Sequence, residues 1–281
     1  MLLIKTRKQL KEHLWALDKK DDLGLVPTMG ALHIGHAALI QRAVAENSVV
    51  VVSIFVNPTQ FNNPEDLKNY PQTLTADLEI IGNIAKDIIV FAPHIQEMYT
   101  EKVKSESYDF DGLDKVMEGA FRAGHFDGVG TIVEALLTLV KPTRAYFGEK
   151  DFQQLQIIKK LTEIRNIPVE IIGCPIVREA NGLAYSSRNE RLSKSMREKA
   201  SFIYRTLKAA KKKFGTESAI NVKEWVKKQF EQHPDLKLEY IEITPTNTLK
   251  PVLRKYKNIK YRAFIAVYAE DVRLIDNIAL N

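Results

Sequence analysis

The sequence predicts an α/β fold, with an open parallel sheet over residues 1–174 and a smaller α+β domain over residues 175–281. Three observations predict it. Short β-branched runs alternate with stretches of helical periodicity through the first part of the chain, the signature of βαβ crossovers. The runs themselves are continuously apolar, as in Val49-Val50-Val51-Val52, which suits strands buried on both faces. Beyond Cys174-Pro175 the order changes to long helices followed by strands, and the hinge is placed there.

Taken in order, Thr6-Arg7-Lys8-Gln9 reads as a capping box opening a helix whose buried stripe is Leu10, Leu14 and Leu17. Leu23-Gly24-Leu25-Val26 is a strand, ended by Pro27, which has no N–H for a ladder. Leu39 with Ala43 and Ile40 with Val44 set the apolar face of the next helix. Val49–Val56 is the second strand, stopped by Asn57-Pro58. Asn63-Pro64-Glu65-Asp66 starts a helix, with proline in its first turn and acids near its positive end, and Tyr70-Pro71 breaks it. A helix over about residues 75–85 precedes the strand Ile88–Ala92. Residues 99–115 are polar and mixed, with no period to assign. Val129–Val140 is a mostly buried helix, Ala145–Phe147 a short strand, and a further helix runs to about Ile164 before the strand Val169–Ile172. In the second domain, Ser195-Met196-Arg197-Glu198 reads as a capping box for one long helix to about Phe214. A helix over about residues 219–232 and strands Leu238–Ile243 and Tyr261–Tyr268 complete it.

Composition narrows the class. At 281 residues and 45% hydrophobic content, the chain can bury one large core or two modest ones. A single cysteine, Cys174, excludes an internal disulfide and a cysteine zinc site, and points to reducing cytoplasm. No apolar run approaches the roughly 18 residues of a membrane span, and the start Met1-Leu2-Leu3-Ile4-Lys5 is wrongly built for a signal peptide. The net charge of +6 suits an anionic partner. Nucleic acid is disfavoured: the densest basic run, Lys208 to Lys213, fits the polar face of a helix and carries no aromatic residues to stack bases.

The stretch Thr28-Met29-Gly30-Ala31-Leu32-His33-Ile34-Gly35-His36 lies where a strand hands over to a helix. The first N–H groups of a helix have no internal partners and carry partial positive charge, so phosphate oxygens suit that position. Gly30 and Gly35 permit close backbone approach to a ligand, and His33 and His36, three apart, fall on one face of the incoming turn. Neither a P-loop nor a Gly-x-Gly-x-x-Gly fingerprint occurs. The ends of the first, second and fourth strands, at residues 28–36, 57–61 and 148–151, are expected to line one rim of the sheet, where open α/β sheets bind ligands.

The His-x-Gly-His pattern resembles the signature of the nucleotidylyl-transferase superfamily, whose fold is Rossmann-like. Further segments sharpen the likeness: Ser53–Phe61 (SIFVNPTQF), Tyr70–Leu74 (YPQTL), Gly124–Val129 (GHFDGV), Phe147–Gln154 (FGEKDFQQ), Gly182–Asn189 (GLAYSSRN) and Arg273–Asn277 (RLIDN). Together they resemble the pantoate–β-alanine ligase family over essentially the whole chain. That resemblance implies an ATP-dependent ligase. Pantoate's carboxylate attacks the α-phosphate of ATP to give pantoyl adenylate and pyrophosphate; the amine of β-alanine then attacks the acyl carbon and releases AMP. It implies Mg²⁺ arriving chiefly with ATP, a homodimer, a cytoplasmic location, and no nucleic-acid or membrane partner. Another His-x-Gly-His nucleotidylyltransferase, stopping at the nucleotide adduct, is the alternative.

The resemblance also implies roles. ATP contacts fall on Met29, Gly30, Ala31, Leu32, His33, Ile34, Gly35 and His36, on Gly148, Glu149, Lys150 and Asp151, and on Val177, Tyr185, Ser186, Ser187 and Arg188. Tyr185 stands where the family usually carries an aliphatic residue. His36 is implied as proton donor, with His33 as a second donor and Lys150 as a mobile charge for phosphate. Gln60 and Gln154 are implied for pantoate, and as uncharged two-way hydrogen-bonders they suit its hydroxyl and carboxylate groups. Asp77 is a candidate for helping to hold Mg²⁺, although Ala76 and Ile80 beside it offer no oxygen ligands. His125 has no assigned role, and His94 and Cys174 read as structural. Arg191-Leu192-Ser193-Lys194-Ser195 resembles the Lys-Met-Ser-Lys-Ser loop of class I aminoacyl-tRNA synthetases but reads better as the entry to a capped helix.

Overall fold

The apolar runs become the strands of a parallel sheet in the computed structural model, which describes residues 1–18, 20–99 and 101–281. The chain forms two compact units. The first comprises residues 1–114, 118–149 and 154–175; the second comprises residues 115–117, 150–153 and 176–281.

The first unit's elements are β1 (Leu2–Ile4), α1 (Arg7–Trp15), β2 (Leu23–Thr28), α2 (Ile34–Glu46), β3 (Val49–Ile54), α3 (Pro64–Lys68), α4 (Leu74–Ile84), β4 (Ile89–Phe91) and α5 (Ile95–Met98). After α6 (Met117–Phe121), which begins in the second unit, come α7 (His125–Val140), β5 (Arg144–Gly148), α8 (Phe152–Ile164) and β6 (Glu170–Cys174). The strand order is β1-β4-β3-β2-β5-β6, all parallel. From β2 the chain builds outward through β3 to β4, then returns to the other side of β2 to add β5 and β6. The order therefore reverses between β2 and β5, and in such sheets the crevice at the carboxyl ends of those strands is the ligand site.

Strand alternation divides the core. Val26, Val50, Val52, Val90 and Tyr146 share one cluster with Leu39, Ile40 and Ala43 of α2 and Ile81 of α4. Leu25, Val51, Ile89 and Phe91, the alternate positions, are also buried, and α7 packs against β2. Burial on both sides explains why these strands are unbroken apolar runs. Three points depart from expectation. Pro27 does not end the first long strand: it lies within β2, opposite Ser53, and the pairing runs on to Thr28. Helix α1 ends at Trp15, so Leu17 lies beyond it, and of the proposed stripe only Leu10 is fully buried. Strand β1, pairing with β4, has no forecast in the pattern because three residues show no period.

The second unit contains α9 (Lys194–Ala200), α10 (Phe202–Phe214) and α11 (Ala219–Glu231), then an antiparallel sheet of β7 (Leu236–Pro245), β8 (Tyr261–Ala269) and β9 (Val272–Ala279). Ile203, Leu207, Ala210 and Phe214 of α10 and Val222, Val226 and Phe230 of α11 pack on Ile241, Ile243, Ile265, Val267 and Leu274. The single long helix is in fact two, divided at Ser201, and the cap lies two residues earlier than expected. Ser193, not Ser195, accepts from the Met196 N–H at 3.2 Å. Its hydroxyl also donates to Glu270 at 2.7 Å, so the Arg191–Ser195 stretch is a helix entry tied to the β8–β9 turn. Strand β9 escaped the pattern because two of its buried residues, Asp276 and Asn277, are polar.

Candidate active site

The loop leaving β2 is held from both sides. Gly30 adopts φ +78° and Ala31 φ +49°, a left-handed pair that a side-chain-bearing residue adopts only under constraint. Asp77 of α4 supplies the constraint. Its carboxylate accepts the N–H groups of Ala31 at 3.1 Å and Leu32 at 2.7 Å, and the Thr73 hydroxyl at 3.2 Å. A Cβ on Gly30 would stand 2.9 Å from Asp77 Oδ2, so the close approach this glycine allows is to Asp77 as well as to any ligand. Asp77 is 1% exposed, and both of its oxygens serve backbone or hydroxyl donors. The structure thus gives it the work of shaping the loop. Among the described residues no three His, Cys, Asp or Glu side chains gather to hold a metal.

The two histidines cap α2 reciprocally. His33 is the N-cap; its Nδ1 accepts from Gly35 N–H at 3.1 Å, and Nδ1 of His36 accepts from His33 N–H at 3.3 Å. This is a capping box with imidazoles in place of serine and glutamate. Backbone N–H groups only donate, so both Nδ1 atoms act as acceptors and each neutral ring carries its proton on Nε2. The rings lie 4.1 Å apart between centroids, tilted by 35°. Two Nε2–H donors therefore accompany the positive end of a helix at the point where the strand order reverses.

The loop after β3 is clamped equally tightly. Asn57 is 1% exposed and donates through Nδ2 to Gly128 O at 3.0 Å and Gln60 Oε1 at 3.1 Å. Gln60 Nε2 turns to Met29 Sδ at 2.8 Å, which joins the β3 loop to the β2 loop. The backbone carbonyl of Gln60 faces His125 Nδ1 at 2.8 Å and accepts from Arg122 Nη2 at 3.4 Å. A carbonyl only accepts, so His125 carries its proton on Nδ1 there; the unassigned histidine of the sequence is a clamp on Gln60. Gly128 is required by proximity: a Cβ would fall 2.4 Å from Thr59 O and 2.8 Å from Gln60 N. Tyr99 Oη donates to Asn57 Oδ1 at 2.5 Å; Asn57, Tyr99, His125 and Gly128 thus shape this loop and have no role assigned from the sequence, although the Asn57, His125 and Gly128 segments carry the family pattern.

Of the remaining candidates in the first unit, Gly148 ends β5 beside the switch point, Glu149 follows it, and Gln154 is half-buried on α8. In the second unit, Lys150 is largely covered, with Nζ 3.4 Å from Asp151 Oδ1, and its carbonyl accepts from Asn277 Nδ2 at 2.8 Å. Val177 O accepts from Tyr185 N–H at 3.1 Å, closing a short hairpin whose turn needs Gly182 at φ +96°. Arg178 in that hairpin makes a bidentate pair with Asp276 at 2.7 and 2.9 Å and lies 3.6 Å over the Tyr204 ring. Ser186 caps the turn over residues 187–191, accepting from Arg188 N–H at 3.3 Å, so Ser187 and Arg188 are held in a fixed presentation. Cys174 is buried at the end of β6, and burial pushes its thiol up against the pull of Arg42, which fits an unreactive structural residue.

A parallel α/β sheet with His-x-Gly-His at the start of α2 resembles enzymes of the nucleotidylyl-transferase type. Comparison with known proteins narrows it. The family model described as pantoate-beta-alanine ligase matches residues 2–279. The chain is 54% identical over 281 residues to the pantothenate synthetase of Flavobacterium psychrophilum, covering 100% of both, and 57% identical over 259 residues to that of Christiangramia forsetii, covering 92% of each. It is also similar to the crystal structure of pantothenate synthetase from Thermus thermophilus, with a TM-score of 0.92 at 39% identity, covering 100% of this chain and 99% of that one. A pantoate-beta-alanine ligase from Francisella tularensis, complexed with beta-gamma ATP and beta-alanine, matches with a TM-score of 0.81 at 36% identity over 100% of this chain and 98% of that one. The chain belongs to the pantoate–β-alanine ligase family.

Proposed function

We propose that this ligase condenses pantoate with β-alanine at the expense of ATP, through a pantoyl-adenylate intermediate. The observation that carries the reading is the reciprocal imidazole cap, which engages both Nδ1 atoms and so keeps the proton of each ring on Nε2 at the start of α2, a helix end suited to phosphate. A carboxylate oxygen of pantoate attacks the α-phosphorus, and the bond from that phosphorus to the bridging oxygen breaks to release pyrophosphate. The neutral amine of β-alanine then attacks the acyl carbon; the carbon–oxygen bond to AMP breaks and the amine gives up a proton. Negative charge accumulates on phosphoryl oxygens in the first step, so donors placed in advance stabilise it most. His36 and His33 supply such donors, and Lys150 supplies a point charge. Gln60 and Gln154 orient pantoate, while Val177 and residues 185–188 contact the nucleotide.

Mg²⁺ fits this reading as a companion of the ATP phosphates, because the acid nearest the loop, Asp77, has both oxygens engaged by the backbone and Thr73. No step here runs through a metal held by the protein. No helix among the described residues is long and apolar enough to cross a membrane. We take the working form to be a cytoplasmic homodimer, as the family resemblance implies, and sedimentation equilibrium would return a monomer mass if that is wrong.

Purified protein should release pyrophosphate only with ATP, pantoate and Mg²⁺ together, and AMP only when β-alanine is added. Absence of pantoate-dependent turnover would refute the reading. Transfer of AMP to an acceptor without any amine requirement would instead favour a nucleotidylyltransferase.

A further inference from the structure

The clamp on Gln60 has a direction. The carbonyl of Gly128 can only accept, so the Asn57 amide must turn its Nδ2 toward it, at 3.0 Å. The second hydrogen of that nitrogen then reaches Gln60 Oε1 at 3.1 Å. On the other side, Asn57 Oδ1 receives the Tyr99 hydroxyl at 2.5 Å and the Thr59 hydroxyl at 3.1 Å. The two hydroxyls also lie 2.9 Å from each other, so Thr59 is able to donate to either oxygen. Burial pushes the Tyr99 phenol up, which keeps it a hydroxyl and hence a donor. Asn57 thus has two donors and two acceptors matched in one orientation, in a buried place where reversing the amide would set like groups against each other.

We infer that Tyr99 is a positioning residue for the pantoate subsite: acting through Asn57, it fixes the Gln60 side chain with Oε1 turned to Asn57 and its Nε2 as the donor edge, one hydrogen on Met29 Sδ at 2.8 Å and the other for the substrate. This rests on the proposed use of Gln60 for pantoate and adds its polarity. Gln60 then serves as a donor, not as a two-way hydrogen-bonder. It reads an oxygen acceptor such as a carboxylate or hydroxyl oxygen and disfavours a substrate that offers only N–H there. Tyr99 lies 39 positions beyond Gln60 in the chain, a separation that the 40-residue spacing of Thr59 and Tyr99 already bridges through direct contact.

Steady-state kinetics on the full-length enzyme, varying pantoate and ATP separately, test this with three variants. Gln60→Glu preserves the oxygen that faces Asn57 and replaces the NH₂, with its contact to Met29 Sδ, by a second carboxylate oxygen. It should raise KM for pantoate about 100-fold or more and exceed the effect of Gln60→Ala, because it sets an anion against an acceptor. Tyr99→Phe removes one donor to Asn57 while leaving Thr59; it should raise KM for pantoate about 5-fold to 10-fold with kcat nearly constant. Asn57→Asp removes the Nδ2 donor, so Gln60 should reverse its amide and lose pantoate affinity like Gln60→Glu. In each variant KM for ATP should stay within about 2-fold of wild type, and a melting curve identifies any variant that fails to fold. If Tyr99→Phe folds and leaves KM for pantoate unchanged, or shifts pantoate and ATP alike, the inference is overturned. So it is if Gln60→Glu is no worse than Gln60→Ala. Either result with an active wild type leaves the proposed reaction standing, whereas an inactive wild type removes the reaction itself.

Discussion

The loops that follow β2 and β3 sit on neighbouring strands and solve the same problem by opposite means. The β2 loop is shaped by one charged group from outside, Asp77, and then organises its own helix start through His33 and His36. The β3 loop is shaped mainly by neutral groups, a glycine-backed carbonyl, an imidazole N–H and a tyrosine hydroxyl, all converging on Asn57 and Gln60, with Arg122 adding one longer contact at 3.4 Å. The difference teaches that a functional side chain is defined by the edge its scaffold leaves outward. The imidazoles use Nδ1 for the cap and keep their proton on Nε2; Gln60 uses Oε1 toward Asn57 and one Nε2 hydrogen toward Met29, leaving the second as its donor. One loop suits developing charge on phosphoryl oxygen, the other a neutral grip on a small polar acid.

The largest expected effect separates the two edges of one ring. His36→Ala removes both the cap and the outward donor and should lower kcat about 10²–10³-fold, the usual loss of one preorganised donor. His36→Asn retains an oxygen that can accept the His33 N–H but offers nothing at the Nε2 position. It should lose about as much rate as alanine while remaining closer to wild type in stability. Equal stability losses in the two variants, measured by urea unfolding, would show that the cap contributes little.

Asp77 provides the next test, since its removal attacks the charged scaffold alone. Asp77→Ala leaves the Ala31 and Leu32 amides without their acceptor and should cost roughly 2–4 kcal/mol of stability together with most of the activity. Asp77→Asn retains one carbonyl oxygen and should fall between. The Mg²⁺ concentration for half-maximal rate should stay the same in Asp77→Asn; a rise of tenfold or more in a folded variant would assign Asp77 a part in holding the metal. The neutral scaffold has its counterpart in Gly128→Ala. A methyl 2.4 Å from Thr59 O forces the β3 loop away from α7, at roughly 1–3 kcal/mol. KM for pantoate should suffer while KM for ATP does not, and an equal effect on both would mean the two loops move together.

What could be read in advance follows the same division. Strands β2, β3, β4 and β5 were legible because burial on both faces writes itself as an apolar run. The His-x-Gly-His turn was legible because its residues are adjacent in sequence. The Gln60 clamp was not, because Asn57, Tyr99, His125 and Gly128 are brought together only by folding. Residues 99–115 had no readable period for a physical reason. Part of that segment lies along α7, held by side chains: Glu106 N–H to Thr131 Oγ1 at 2.9 Å, Tyr108 N–H to Asp127 Oδ1 at 3.2 Å, and Tyr108 Oη to Glu134 Oε2 at 2.7 Å. Without a backbone ladder there is no alternation to detect. Likewise nothing in the sequence around Asp77 marks its loop contacts, and only its position beside the loop reveals its partners.

The smallest expected effect lies away from both loops and tests whether the sheet beneath them is separable from the chemistry. Tyr146 of β5 is fully buried, donating to Glu46 Oε2 at 2.9 Å and accepting from Asn47 Nδ2 at 2.7 Å, both at the far end of α2 from the histidines. Burial, and the negative charge of Glu46, push its phenol up to about 12 from an ordinary value of 10.0. Because the folded form holds its proton longer than the unfolded chain does, this group's contribution to stability is fully present below about pH 10 and is lost as the pH rises toward about 12. The stability difference between wild type and Tyr146→Phe, followed by urea unfolding, should therefore shrink or reverse over that interval and stay constant below it. Turnover at neutral pH should change little, since Tyr146 supports α2 from beneath without touching the cap. A difference that is flat across the alkaline range would mean that Tyr146 titrates normally, and a large loss of turnover at neutral pH would show that α2 transmits strain along its whole length to His33 and His36.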